Sequence, residues 1–597
     1  MTVDVKALVT DNLDLLSSTI KKRNATGRGS SKKTELYGIK KLRELILDLA
    51  VRGLLVPQDP NDEPANVLLE KNAAKKEQLV KDKTVKKPKK LLQITEEEKT
   101  FELPFGWTWC RLGEIGQTQT GGTPKKSDQD HYGSFMPFIK PGDINEGVIV
   151  SYENDGLSEA GAKSLGRIAP ADSVLMVCIG TIGKCARVDR EVAFNQQINT
   201  VSPYIEIGGY ISKALQAPFF QSSAWHLSSS TTLSILNKGK WEQIPIPLAP
   251  EAEQHRIVTK VNELITLCDQ LEQQQENSTS THQVLVETLL NALTQVENGQ
   301  DNNTAPINPA DTKQNRFQQA WALIADNFDV LFTTEHSINQ LKQTILQLAV
   351  MGKLVPQDPD DEPASALLKK IAEEKAQLVK EKKIKKQKPL PPISEEEKPF
   401  ELPEGWEWCR FGNVAVSRLG KMLDKAKNKG SMRPYLRNTN VQWHKIELDD
   451  VKMMQIEDDE VDELLLRRGD LLICEGGYPG RCAIWQDDSM EMYFQKALHR
   501  ARPLANNSPE YLQSCLTIDS QTGNLDKYFT GATIKHFVGA KLNSYVIPVA
   551  PAEEQHRIVT KVDELMTLCD TLLERIKAAQ TTQLNLTDAI AEQALTK

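Results

Sequence analysis

Apolar residues recur at intervals of four, three, four and three along one stretch of the chain, at Ile257, Val261, Leu264, Cys268 and Leu271. That spacing is a heptad seam and predicts an α-helix that pairs along one stripe. The seam returns at Ile558, Val562, Leu565, Cys569 and Leu572. Each copy opens on a proline followed by acids, "APEAE" and "APAEE", which suit a helix N-terminus. Residues 37–55 and 336–355 carry a broader amphipathic stripe and are predicted helices. The stretches 113–240 and 412–540 read differently. Short apolar runs such as "VLMVCIG" and "DLLICEGG" lie between glycine-rich turns, which predicts two mixed α/β globules of about 140 residues each.

The same elements therefore occur twice. "LAVRGLLVPQDPNDEPANVLLEK" starts at Leu49 and "LAVMGKLVPQDPDDEPASALLKK" at Leu348, an offset of 299 (348 − 49). The offset still holds between "FELPFGWTWCRLG" at Phe101 and "FELPEGWEWCRFG" at Phe400. The flanks match almost residue for residue, whereas the middles share only a skeleton: "ADSVLMVCIGTIGKCARV" faces "GDLLICEGGYPGRCAIW", and "TTLSILNKGKWEQIPIPLAP" faces "ATIKHFVGAKLNSYVIPVAP". A duplicated scaffold thus carries two divergent inserts. The polar loop "KKRNATGRGSSKK" interrupts only the first copy, and the later half of 273–312 reads as a flexible linker. The C-terminal "TTQLNLTDAIAEQAL" matches "STHQVLVETLLNAL" but lacks the helix that follows its twin, so the N-terminal "ALVTDNLDLL" is expected to supply it and close the chain head to tail.

Chemistry changes this picture little. The nine cysteines are odd in number and thinly spread, as in a reduced cytoplasmic protein. Cys178/Cys185 and Cys474/Cys482 lack the second pair a metal site needs and read as buried strand residues. No apolar run is long enough to span a membrane. The net charge of −8 says nothing about a basic groove that a fold can focus. "GTIGKC" is too short for a phosphate loop. Glu97-Glu98-Lys99 with Asp59 resembles a nuclease set but sits in a charged linker, where Thr95–Glu98 and Ser394–Glu397 are spaced as capping boxes. The lysine runs before them read as solvated linkers or as phosphate-contacting straps. The repeated His255-Arg256 and His556-Arg557 have no catalytic partner nearby. The repeated Trp107, Trp109, Trp406 and Trp408 suggest core anchors.

"LQLAVMGKLVPQDPDDEPASALL", "FELPEGWEWCRFG", "IPVAPAEEQHRIVTKVDEL" and "GGTPKK" at 121–126 resemble the specificity subunits of type I restriction–modification enzymes, over nearly the whole chain. The second insert has "SRLGKMLDKAKNKG" where the family has Gly-Gly-Thr-Pro. The resemblance implies an α+β fold in which antiparallel coiled-coil helices separate two mixed α/β target recognition domains, with an internal pseudo-two-fold duplication. It implies a repeated helical region and linker over 1–105 and recognition domains at 106–248 and 401–549. The central helix, linker and second helical region would occupy 249–400, and the last coiled-coil helix 550–597. Each domain would read half of an asymmetric bipartite target in double-stranded DNA. The helices would set the spacing and dock two methylation subunits, which restriction subunits join. No cofactor is expected in this chain; S-adenosylmethionine, ATP and Mg2+ would serve the partners.

A duplex is itself pseudo-two-fold, so two readers on a stiff spacer fit it. Base edges favour Arg, Lys, Asn, Gln and Thr, and phosphates favour Lys and Arg. The candidate contacts are Thr123, Lys125, Lys126, Lys140, Lys184, Arg187, Asn195 and Gln196 in the first insert. In the second they are Arg418, Lys421, Arg433, Arg437, Asn438, Asn440, Arg481, Gln495 and Lys496. The alternatives are a helical adaptor that does not read DNA, or a self-contained methyltransferase or nuclease. Two different heads on one scaffold disfavour the first, and the missing cofactor loop disfavours the second.

Overall fold

The repeated seams become the first layer of two cores. The computed structural model describes residues 5–22, 34–85, 90–125, 129–145, 147–228, 234–294, 313–424, 426 and 428–595, with the side chains of 313–316 excepted. One compact unit comprises Met1–Ser278 with Ala579–Lys597, and the other Thr279–Ala578. The helices Glu251–Thr294 and Ala552–Leu595 thus each give their first part to one unit and their last part to the other. The polar loop at 23–33 and nearly all of the linker expected in 293–312 lie outside the described residues.

In the first unit Ile257, Val261 and Cys268 are buried, and Leu264 and Leu271 half-buried, in one core with Ile39, Leu42 and Ile46 of the helix Tyr37–Val51. Arg43 Nη2 fastens the two helices, 2.6 Å from both Asp269 Oδ1 and Glu272 Oε2. The second unit repeats this. Ile558, Val562, Cys569, Leu565 and Leu572 share a core with Ile338 and Ile345 of Glu335–Val350, and Lys342 meets Asp570 at 2.5 Å. The seam therefore serves the helix of its own copy. Val286, Leu290 and Leu293, from the end of the first long helix, join that second core alongside Leu572 and Ile576 from the middle of the other.

Both ends of the chain lie in the first unit. Thr587 Oγ1 donates to Thr19 Oγ1 at 3.1 Å, and Tyr37 Oη to Asp588 Oδ1 at 2.8 Å. Leu45, Leu49 and Ala594 cluster with Val5, Leu8, Val9 and Leu595. The N-terminal helices thus cover the C-terminal one, as the missing helix requires.

Each insert is tied off by a two-stranded ribbon that joins its start to its end: Thr108–Arg111 with Pro245–Leu248, and Glu407–Arg410 with Val546–Val549, both antiparallel. Inside, the first insert has an antiparallel sheet ordered Cys185–Arg187, Val174–Val177, Ile198–Pro203, Gly116–Thr120. The second has the matching sheet Cys482–Ile484, Leu471–Cys474, Leu498–Pro503, Ala415–Leu419. A second sheet in each contains one parallel pairing, Ala193 with Phe138 and Tyr435 with Tyr493.

Of the repeated tryptophans, Trp107 and Trp406 are buried anchors, while Trp109 and Trp408 are half-buried against Phe101 and Phe400. Trp107 Nε1 donates to Glu253 Oε2 at 2.9 Å, and Trp406 Nε1 to Glu554 Oε2 at 2.9 Å. Gly53 and Gly352, both in the left-handed region, pass beneath the same rings, where a Cβ would strike Pro104 or Pro403. Burial raises the Glu253 carboxyl, while the indole and Gln58 pull it back. Trp107→Phe removes a donor from a buried carboxylate and is expected to cost about 1.5–3 kcal/mol. Trp406→Phe should cost the same, and urea midpoints of the two single variants check it.

Candidate nucleic-acid interface

At one end of each insert, loops from different strands are bonded into a cluster, and a shared set of backbone bonds recurs in both clusters. The loop after Val174–Val177 turns on Gly180 and Gly183, and its counterpart after Leu471–Cys474 on Gly477 and Gly480, all four with positive φ. Gly183 N donates to Val177 O at 3.0 Å, and Gly480 N to Cys474 O at 3.0 Å. Cys178 N reaches Gln197 O at 2.8 Å and Glu475 N reaches Ala497 O at 2.9 Å, which joins each loop to a second one. That second loop is held by Asn195 N on Ile139 O and Gln495 N on Leu436 O, both 3.0 Å. A third segment follows the strands Gly116–Thr120 and Ala415–Leu419. Its Gly122 N donates to Phe194 O and Lys421 N to Phe494 O, again both 3.0 Å.

Several candidates fall in these clusters. In the first, Thr123 Oγ1 donates to Gln196 Oε1; both are exposed, as are Lys125 and Lys184. Lys140 is half-exposed and 2.6 Å from Asp155. In the second, Asn438, Gln495 and Lys496 come together, Lys496 exposed and Asn438 Nδ2 donating to Gly476 O at 3.2 Å. Lys126 lies outside the described residues.

Others are not available as expected, and the reasons are geometric. Asn195 is buried and its Oδ1 accepts from Gln197 N at 2.9 Å, so it builds the turn. Asn440 is buried likewise, accepting from Arg437 N at 3.0 Å and donating to Glu447 O at 3.0 Å. Lys421 is enclosed by Glu457 and Glu460; burial alone would depress its ammonium, but the two carboxylates hold it above the usual value. Arg481 Nη2 donates to Asn438 O at 2.7 Å and Nη1 to Gln442 Oε1 at 3.1 Å, which commits it to framework. Arg437 pairs with Asp450 at 2.5 Å. Arg418 and Arg433 pair with Glu463 and Glu491 on the strands rather than at the loops. Arg187 sits opposite Val174, at the far end of its strand pair from Lys184, 3.6 Å from Asp172.

Two exposed loop-tip residues lie outside the set that sequence reasoning names. Tyr478 stands 70% exposed on the tip of the second loop, its ring centroid 5.0 Å from the Arg481 guanidinium, and Thr181 is exposed at the matching place in the first. The signal was the facing of "GTIGK" and "GYPGR", which identifies the tips once the glycines are aligned.

Elsewhere the charged motifs are structural. Both capping boxes form. Glu98 is gripped by Arg111 at 2.7 and 2.8 Å, which removes it from any nuclease-like set. Arg256 and Arg557 pair at 2.6 Å with Asp62 and Asp361 of the repeated "DP" loops, while His255 and His556 stay exposed. Among the described residues no three His, Cys, Asp or Glu side chains are grouped to hold a metal ion. Burial pushes the thiols of Cys178 and Cys185 up to about 12, so they stay protonated. Among the described residues no helix is long and apolar enough to cross a membrane.

Comparison with known proteins identifies this arrangement. The family model "Type I restriction modification DNA specificity domain" matches residues 104–279 and again 403–580. The chain is 39% identical to the type I restriction enzyme EcoAI specificity subunit of Escherichia coli, over 99% of this chain and 100% of that one. It is 37% identical to the EcoEI specificity subunit of the same species, with the same coverage. Among solved structures, the HsdS subunit from Thermoanaerobacter tengcongensis matches 83% of this chain and 98% of its own at 17% identity and a TM-score of 0.39. With two matched specificity domains and full-length relatives of this kind, the chain belongs to the type I restriction–modification DNA specificity family.

Proposed function

We propose that each recognition domain reads one half of a split target in double-stranded DNA and that the chain itself performs no catalysis. The observation that carries this reading is the doubled loop cluster: one backbone frame, built twice, with different side chains at its exposed tips. Identical heads would read a symmetric target; different heads on matched frames read an asymmetric one. Thr123, Lys125, Lys140, Lys184 and Gln196 in one domain, and Asn438, Gln495 and Lys496 in the other, are the side chains we assign to DNA. To the two long helices, of 44 residues each, we assign the spacing of the half-sites.

The exposed faces that recur in both copies suit a partner used twice. His556, Thr560, Lys561 and Glu564 line an open groove beside the Arg557–Asp361 pair, and His255, Thr259, Lys260 and Glu263 repeat the set in the other copy. We assign these faces to two methylation subunits, which restriction subunits then join. S-adenosylmethionine, ATP and Mg2+ belong to those partners in this reading.

The test is to assemble the chain with its methylation subunits and offer a random duplex library. One split motif among the methylated products is expected. Methylation without sequence preference, or by the isolated chain, would remove the reading.

A further inference from the structure

The two loop clusters share a backbone frame, so positions within that frame can be compared directly even though the inserts have diverged. Val177 N donates to Lys184 O at 2.7 Å, and Cys474 N to Arg481 O at 2.8 Å. Leu236 N donates to Cys178 O at 2.8 Å, and Phe537 N to Glu475 O at 2.7 Å. These bonds, with the four already described for the loop, equate Gly180 with Gly477, Thr181 with Tyr478, Gly183 with Gly480 and Lys184 with Arg481.

Within this equivalence the residues divide by burial. The frame positions are alike: small, buried or held by backbone bonds. Gly183 and Gly480 are fixed by their surroundings as well as by φ, since a Cβ would strike Gln221 Oε1 at 1.9 Å or Leu525 Cδ2 at 2.4 Å. The tip between the glycines is where the two loops part: Thr181-Ile182 in one, Tyr478-Pro479 in the other. A tip that varies on a fixed frame changes what is touched without changing where. An exposed tyrosine also needs a reason to stand in water. Here the guanidinium of Arg481, held by Asn438 and Gln442, lies over the ring and limits its motion. Proline on one side and glycine on the other stiffen and shape the turn.

We propose that Thr181 and Tyr478 are frame-equivalent base-contacting positions, one in each domain, and that Arg481 is a positioning residue for the second. This rests on the reading of the two domains given above. A hydroxyl and an aromatic ring at the same place would select different bases. Threonine serves as donor, acceptor or methyl contact, whereas a tyrosine ring offers apolar area to a thymine methyl or a base face.

The experiment compares methylated motifs produced by the assembled complex carrying the native chain, Tyr478→Ala, Thr181→Ala or Lys496→Gln. Tyr478→Ala is expected to reduce discrimination at one or two adjacent positions of one half-site by about tenfold to a hundredfold. The other half-site and the salt dependence of binding should not move, because no charge is removed. Thr181→Ala should do the same to the opposite half-site. Lys496→Gln serves as contrast: uniform weakening and a shallower salt slope. Native base preferences in both tip variants would overturn the proposal and leave the half-site reading standing. A native complex with no motif would instead remove the reading itself. Should Tyr478→Ala fail to assemble, Thr181→Ala decides by the same criterion.

Discussion

Exchanging residues 112–244 with 411–545 should reverse the order of the two half-sites and leave the gap between them unchanged. The junctions are equivalent: Leu112 N donates to Ile244 O at 3.1 Å, and Phe411 N to Tyr545 O at 2.7 Å, immediately inside the two closing ribbons. Each insert would enter its new site through the same backbone bonds. The exchange is not free, because flank and insert also touch by side chains. Phe219 packs on Phe101 and Trp109 in the first unit, whereas Ala505 N donates to Glu374 in the second. A thermal melt therefore accompanies the motif analysis. Methylation of the original motif should fall by at least about 10³, the usual margin between specific and non-specific binding. A well-folded chimera that keeps the original motif would show that the inserts do not carry the specificity.

Arg410→Ala should destabilise the second unit by about 3–5 kcal/mol. The guanidinium is almost fully buried and donates to both oxygens of Glu397, at 2.7 and 2.9 Å. It also donates to the carbonyls of Pro391, Pro392 and Ser544 at 3.1, 2.9 and 2.7 Å. One side chain, on the first strand of the closing ribbon, thus fastens the charged linker to the end of the helix Gly539–Ser544 that leads into the second strand. Arg111→Ala should act alike on the first unit, through Glu98 and the carbonyls of Leu92, Gln93 and Gln243. The pair also sets a pH dependence. Arg410, then the Ser394 N–H, hold the Glu397 carboxyl down to about 2 against an ordinary 4.5. A carboxyl lowered by folding stabilises fully above its unfolded value and ceases to do so as pH falls through the folded one. The native chain should therefore lose this contribution between about pH 4.5 and 2, and Arg410→Ala should lose less across the same window. Urea midpoints measured along that range test both statements; parallel pH slopes in the two proteins would refute the second.

The scaffold was legible because its signals are local and doubled. The seam from Ile257, the capping boxes at Thr95 and Ser394, and the matched tryptophans each depend on neighbours within a few residues, and the second copy repeats them. The head-to-tail closure was legible too, since a helix missing from one copy had a match at the other end of the chain. Which candidate side chains stand exposed was not. Lys421 is neutralised by Glu457 and Glu460, Arg437 by Asp450 and Arg433 by Glu491. Those partners arrive through strand pairings that residue types do not encode, so a cation chosen by type alone is as readily internal as exposed. The amides of Asn195 and Asn440 suit a base edge by type, yet here they close turns. Tyr478 carries no signal by residue type, since an aromatic residue reads as core until the facing of Gly477 and Gly480 with Gly180 and Gly183 places it at a tip.

The first unit is built from Met1–Ser278 and Ala579–Lys597, so on the ribosome it cannot finish when its recognition domain has been made. At about 5–20 residues per second, the stretch from Thr279 to Ala578 imposes a wait of about 15–60 s. During that time the helix Tyr37–Val51 lacks its contacts with Asp588 and Ala594. A chain that stops early leaves Leu45 and Leu49 without Ala594 and Leu595 against them. Synthesis through the helix Ala552–Leu595 thus completes the first unit long after the ribbon Thr108–Arg111 with Pro245–Leu248 can close its recognition domain.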